Sequence, residues 1–298
     1  MQPSLGIKLH DRIQFDNPFM LASGPPGTNG KVIAKSFDLG WGGVVIKTIS
    51  LDSSKVINTA PRYGKLRSRE TGEVIGFENI ELISNRPFDT WLDELRQLKK
   101  NYPKHVLIAS IMKEYAREAW HEIVRRVQET GVDAFELNLS CPHGLPERKM
   151  GMAMGEGFTV AGGYSGQAVR PIALRQVMEI ARAFPGTPIS GMGGIETGAD
   201  AAQFLLLGSH TVQVCTGAML RGYEIIAELK RDLEKFMVDH EFTDLRQFIG
   251  KSLAFFSTHH DLVSRQKQAK ADRAVASNRD AETWKGAIAR ETESLTTN

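Results

Sequence analysis

Apolar residues recur along this chain with two alternating periods. Largely apolar runs occupy 18–24, 42–49 and 106–111, and two further strands are read at 188–194 and 211–217. Such runs mark strands covered on both faces. A sixth stretch, 134–140, alternates instead: Phe135, Leu137 and Leu139 interleave with Glu136, Asn138 and Ser140. Between them the spacing becomes helical. Phe88, Trp91, Leu92, Leu95 and Leu98 share a face within 87–102, and Trp120, Ile123, Val124 and Val127 share one within 117–130. Further helices are predicted over 29–39, 171–184, 197–207 and 223–240. The start, 6–15, reads as a short hairpin. Long loops are expected over 50–80 and, rich in Gly and Met, over 145–166. The tail, 242–298, holds one apolar helix candidate, 245–256, and then a polar stretch.

Strands alternating with helices predict a parallel sheet with helices packed outside it. The fold class is therefore α/β, a TIM-type (β/α) barrel, with a C-terminal helical tail. The chain supplies six strand candidates, where a complete barrel of this type has eight. The domains read as 1–241 for the barrel and 242–298 for a helical extension. The polar and reactive side chains cluster where the strands end, which is where such barrels place their sites.

Composition narrows the class. Of 298 residues, 41% are hydrophobic and 24% charged, and the net charge is +2. A balance this close to neutral gives no field for nucleic acid. No apolar run approaches the ~18–20 residues of a membrane span. Residues 1–16 carry neither a signal-peptide core nor a transit-peptide bias. With two cysteines, Cys141 and Cys215, there is no disulfide framework and no iron–sulfur ligand set, and a reducing, cytoplasmic setting is expected.

The candidate chemistry centres on A-F-E-L-N-L-S-C-P-H-G at 134–144. Pro142 cannot donate to a ladder and ends the strand. Asn138, Ser140 and Cys141 are thereby set at its C-terminal edge, with His143 just beyond. Lys47 falls near the end of an apolar strand. S-G-M-G-G at 190–194 and C-T-G at 215–217 close the last two strands with glycines, which let backbone approach a phosphate closely. That cradle suits FMN and equally a phosphorylated sugar.

Longer motifs add a resemblance. L-A-S-G-P-P-G-T-N at 21–29, V-V-I-K-T-I-S-L-D at 44–52 and G-F-E-N-I-E-L-I-S at 76–84 stand in order. They continue with E-L-N-L-S-C-P-H-G at 136–144, G-G-Y-S-G at 162–166, G-M-G-G-I-E-T-G at 191–198 and Q-V-C-T-G at 213–217. The chain resembles the dihydropyrimidine dehydrogenase family, flavin enzymes with a dihydroorotate dehydrogenase-like barrel. The resemblance implies that FMN carries hydride between NAD(P)H and uracil or thymine, with Cys141 as general acid. A thiol of ordinary pKa, ~8.5, is mostly protonated at neutral pH and can donate without special tuning. Substrate contacts would be Asn79, Glu81, Ile83, Asn138 and Ser140. Flavin contacts would be Ala22, Ser23, Lys47, Thr48, Asn79, Asn138, Gly166, Gly193, Gly194, Cys215 and Thr216. Lys47 would supply a cation beside the reduced ring. With no Gly-rich dinucleotide fingerprint, electrons would enter through an FAD/NAD(P)-binding partner subunit or at the flavin face. The family's habit implies a homo-oligomer.

The sequence departs from the family at 155–158. There the family carries barrel strands 5 and 6, so the lost segment should be roughly 60 residues or more. Two other functions follow for comparison: dihydroorotate dehydrogenase, which the acid at Glu81 disfavours, and a non-catalytic remnant whose opened barrel holds flavin weakly.

Overall fold

The computed structural model describes residues 3–53, 56, 58, 60, 62–113, 116–139, 150–153 and 159–272. The chain divides into two compact units, Met1–Ala254 and Phe255–Asn298. In the second, helix-forming residues His259–Asp272 are led by Thr258, whose hydroxyl and N–H both bond Asp261.

The first unit opens with strands β1 (Ile7–His10) and β2 (Ile13–Phe15), paired antiparallel as the hairpin pattern predicts. Then come β3 (Phe19–Leu21), α1 (Gly30–Asp38) and β4 (Gly43–Val45). Asn29 starts α1 by accepting from the N–H groups of Lys31 and Val32, two donors that a helix start otherwise leaves unpaired. Next are β5 (Tyr63–Arg67), β6 (Val74–Asn79), α2 (Phe88–Asn101), β7 (Val106–Ile111), α3 (Arg117–Gln128) and β8 (Ala134–Leu137). The last part holds β9 (Met150–Ala153), β10 (Thr159–Gly166), α4 (Arg170–Ala183), β11 (Ser190–Met192), α5 (Gly198–Leu206), β12 (Thr211–Val214), α6 (Thr216–Arg221) and α7 (Ile225–Asp239).

Six strands form one sheet in the order β11-β12-β3-β4-β7-β8, and every pairing in it is parallel. The chain's last two strands thus return beside its first. That is how a barrel winds: later strands approach the first from the other side. Among the described residues β8 and β11 are the two edges of this sheet. The inner strands are apolar throughout because both of their faces are covered. All six positions of β7 are buried, as are all four of β12.

The expected loop over 50–80 is not structureless. Its second half forms β5 and β6, which join β10 and β9 in a four-stranded antiparallel sheet, order β5-β6-β10-β9. The expected loop over 145–166 is corrected in the same way, since β9 and β10 lie within it. Neither stretch shows a clean alternation. Glycines and charges break the pattern, and the partners are distant in sequence, as Gly163 opposite Asn79 shows. The apolar helix expected over 245–256 opens instead as a 3-10 turn, Leu245–Gln247. Leu245 and Phe248 are fully buried. Helix α6 was not foreseen.

Among the described residues no helix is long and apolar enough to cross a membrane.

Candidate active site

A cavity of about 860 Å³ opens at the C-terminal ends of the six parallel strands, large enough for a cofactor and a small ring together. Most of the sequence-derived candidates whose positions are described line it. Ser23 enters from the end of β3, Lys47 and Thr48 from β4, Asn138 from β8, and Cys215 and Thr216 from β12. Asn79 ends β6 and Glu81 and Ile83 follow it, while Gly166 ends β10 and Gly193 and Gly194 form the turn after β11. Ala22 lies just behind, fully buried, its N–H donating to Val214 O at 3.0 Å. Ser140, Cys141 and His143 fall outside the described residues.

Lys47 and Glu81 form an ion pair, Nζ to Oε2 3.0 Å, with side chains 10% and 9% exposed. Arg62 reaches the other carboxylate oxygen at 3.4 Å, and the Tyr63 hydroxyl also bonds Glu81. A lysine and a carboxylate this far from water stay charged only as a pair with further donors. Burial first, and then Glu81, push the Tyr63 phenol upward, so it stays a neutral donor.

Thr48 is a junction. Its Oγ1 accepts from Asn138 Nδ2 at 2.9 Å and lies 2.8 Å from Ser110 Oγ and 3.2 Å from Ser23 Oγ. One bond therefore ties β8 to β4, and the others tie β4 to β7 and β3. The Asn138 amide is fixed by this contact. Asn79, on the opposite wall, donates to Gly163 O at 3.4 Å, holding β6 to β10.

Gly166 and Gly194 have φ of +106° and +69°, values that side-chain-bearing residues avoid. Their turns abut so closely that a Cβ on Gly194 would lie 2.6 Å from Gly166 O. This leaves bare backbone at the cavity wall. The following helix contributes less than expected to an anion site. In α5, Asp200 Oδ2 already accepts from Glu196 and Thr197, and Thr197 Oγ1 accepts from Asp200 N–H. The neighbouring guanidinium of Arg170 is held by Asp200 and by Gly194 O.

Burial pushes the Cys215 thiol up to about 12. It is packed 4.0 Å from Met219 Sδ and stays protonated, a wall rather than a nucleophile.

Among the lining residues that escaped the sequence reading are Tyr63, Glu136 and Gln213. Glu136 lies two positions before Asn138 on the same strand, so the period of two could have found it. Gln213, a lone amide in an apolar strand, was the other available signal. Nothing in the sequence marked Tyr63, because the pairing that brings it to Glu81 is made by β5 and β6. Burial raises the Glu136 carboxyl, and hydrogen bonds from Ser110 and Gln213 only partly oppose it. Gln213 Oε1 is buried with no hydrogen-bond partner among the described residues.

A parallel β/α sheet wound in this order, with polar groups gathered where its strands end, defines an α/β-barrel protein of enzyme type. The dihydroorotate dehydrogenase family model matches residues 9–154 and 150–237. The chain is 42% identical to "Dihydropyrimidine dehydrogenase (NADP(+)), chloroplastic" of Arabidopsis thaliana, covering 100% of this chain and 89% of the relative. That alignment is 382 positions long, more than the chain's 298 residues can fill. The NAD-dependent dihydropyrimidine dehydrogenase subunit PreA of Escherichia coli (strain K12) is 36% identical over 80% of this chain and 74% of its own length. The catalytic subunit of dihydroorotate dehydrogenase B (NAD(+)) of Pyrococcus abyssi is 27% identical, over 81% of this chain and 97% of its own. The chain belongs to the dihydropyrimidine dehydrogenase family, within the dihydroorotate dehydrogenase class of barrels.

Proposed function

We propose that this chain is a flavin-dependent oxidoreductase that reduces uracil or thymine to the 5,6-dihydropyrimidine with electrons from NAD(P)H. The observation that carries this reading is the convergence of Lys47, Thr48, Asn79, Asn138 and the Gly193–Gly194 turn on one cavity. The residues present fit FMN. Gly166 and Gly194 line the cavity in turns too tight for any side chain, so what they present is backbone, and Gln213 Oε1, in the same wall, is an acceptor with no partner among the described residues. Gly193, Gly194 and Thr216 would hold the phosphate end. Ser23, Thr48 and Lys47 would hold the ring edge, and Lys47 would offset negative charge there. When bound, FMN would supply the hydride exchange with the pyrimidine, which no side chain can perform.

The chain's own residues would do the rest. Asn79 and Asn138 both donate and accept, matching the alternating C=O and N–H groups of a pyrimidine edge. Glu81 and Ile83 would close the cavity over the ring. Ser140 would contact the ring beside Asn138, and Cys141 would donate the proton at C5 from the face opposite the flavin. Higher identity to the dihydropyrimidine dehydrogenase relatives than to the dihydroorotate dehydrogenase B subunit ranks uracil and thymine above dihydroorotate. PreA is named as a subunit, and by analogy an FAD/NAD(P)-binding partner would feed electrons to this chain. We place it in the cytoplasm, as a homo-oligomer.

We further propose that two of the eight β/α units are absent near 155–158. Two things support it: an alignment longer than the chain, and a sheet of six strands whose order leaves room only between β8 and β11.

The test is direct. The purified chain should be yellow and should hold about one FMN per chain. With an electron donor it should consume uracil or thymine and leave dihydroorotate unchanged. A second reading, the non-catalytic remnant, draws on one observation: Leu137, Leu139 and Met192, which line the cavity, are 53%, 81% and 52% exposed. A cavity this open admits water, which hydride chemistry must exclude. A colourless protein that takes up no FMN would decide for the remnant.

A further inference from the structure

Among the described residues that line the cavity, Lys47 alone carries a positive charge, while Glu81 and Glu136 are acids. Lys47 Nζ and Glu81 Oε2 lie 3.0 Å apart, with side chains 10% and 9% exposed. Two opposite charges this close present little more than a dipole to a group several ångströms further off. The other Glu81 oxygen lies 3.4 Å from Arg62, whose side chain is 42% exposed, so water screens that contact more strongly.

Glu81 is a built partner for Lys47. The chain on either side of it is tied to the scaffold at alternate residues. Ile80 N–H donates to Arg62 O at 3.0 Å, Leu82 N–H to Asn58 Oδ1 at 3.0 Å and Ser84 N–H to Thr48 O at 2.8 Å. Ser84 Oγ in turn accepts from the indole N–H of the fully buried Trp91 at 2.9 Å. Lys47 is fixed from its own strand, its N–H donating to Gly27 O at 2.9 Å. The backbone thus holds carboxylate and ammonium together from two separate elements.

We propose that Glu81 sets the reduction potential of a flavin in this cavity, because its pairing with Lys47 decides how much positive charge the ring meets. The inference rests on the oxidoreductase reading, which puts Lys47 at the ring edge. In that reading NAD(P)H gives up a hydride, two electrons and one proton, and leaves as NAD(P)+. A ring that accepts the hydride and gains no second proton carries one negative charge more than before. An unpaired cation beside that charge would favour the reduced form and hold the hydride back from the pyrimidine, which takes it together with one proton. Pairing with Glu81 weakens that hold and eases the second transfer.

The test uses four full-length proteins: wild type, Glu81→Gln, Lys47→Met and the double variant, each loaded with FMN. Midpoint potentials are read at pH 7 from flavin absorbance in equilibrium with redox dyes. Glu81→Gln should raise the potential, changing the reduced-to-oxidised ratio about tenfold, which is about 30 mV for two electrons. Lys47→Met should lower it by a similar factor. The double variant should return to within about twofold of wild type, since it removes both members of a neutral pair. A Glu81→Gln potential equal to wild type, or a double variant as low as Lys47→Met, overturns the inference, because Lys47 then acts without its partner. Urea titrations of the four proteins without flavin give a second readout. The losses of the two single variants should exceed that of the double variant by about tenfold in the unfolding constant, and strictly additive losses overturn the pair itself. A pair with a structural role alone would be non-additive in urea and leave all four potentials equal, which also overturns the inference. A wild type that takes up no FMN overturns the oxidoreductase reading instead.

Discussion

The inner strands and the edge strands of the main sheet are built from similar residues but have different surroundings. Val212, Val214, Leu21, Val44 and Leu107 on β12, β3, β4 and β7 are buried to within 1%. On the edges, Leu137 and Leu139 of β8 and its exit, and Met192 of β11, stand half exposed or more. The helix α4, which packs on β11, repeats the contrast. Ala173 and Val177 are buried, while Ile172, Ile180 and Phe184 just past its end are exposed. Among the described residues, the exposed apolar side chains of this sheet lie on, or just past, the two strands that have a neighbour on one side only. Among the described residues no pairing joins β8 to β11, and it is at that seam that the proposal of two absent units applies.

Mutations can sharpen that contrast, beginning with the largest effect. Leu107→Ala should cost about 2–5 kcal/mol of unfolding free energy in urea titrations, the usual range for a buried leucine. Leu139→Ala should change it by less than about 0.5 kcal/mol, as at an exposed site. Equal losses would mean that β8 is covered in solution. Lys47→Ala comes next. Breaking a buried pair costs about 3–5 kcal/mol, and the loss here should fall toward the low end because Arg62 and Tyr63 still hold Glu81. Glu81→Gln should cost more than Lys47→Ala, since it leaves the buried Lys47 ammonium without its carboxylate.

Two glutamates give a third comparison, with opposite signs. Burial pushes Glu94 of α2 up, but Arg86 at 2.6 Å and the Gly30 N–H outweigh it, and its folded pKa is lowered. Its contribution is therefore present above its unfolded pKa, ~4.3, and is lost as pH falls through the folded value. Glu136 is raised, so its contribution is present below ~4.3 and is lost as pH rises through the folded value. Glu94→Gln should accordingly weaken the protein at neutral pH and match wild type in acid. Glu136→Gln should match wild type in acid and be the more stable at alkaline pH. Thermal melts across pH check both, and curves of the same sign would remove the contrast. The smallest effect belongs to the rim. Leu137→Lys should leave unfolding free energy within about 0.5 kcal/mol, yet light scattering should show less self-association, because a charge on an edge strand blocks pairing.

Much of this architecture was legible from the residues. The apolar runs 106–111 and 211–217 could only be covered strands, and 134–140 announced by its alternation that one face meets something polar. The placement of Lys47, Thr48, Asn138 and Cys215 at strand ends followed from the same runs. The antiparallel sheet did not follow. Tyr63–Arg67 carries two charges and a glycine, and Thr159–Gly166 carries three glycines, so neither has a strand's signature until the other strands are beside it.

Local pattern settles which segments are helix or strand, and which end of each strand is polar, because periodicity and turn residues act over a few neighbours. It cannot state how a hydroxyl shares its bonds. That Thr48 joins Asn138, Ser110 and Ser23, that Glu81 meets Lys47 and Tyr63, and that Glu136 is short of water are facts about groups brought together from separate strands. Hydrogen bonds, desolvation and charge pairing depend on distances of a few ångströms between residues far apart in the chain, and those distances exist only once the sheet has wound.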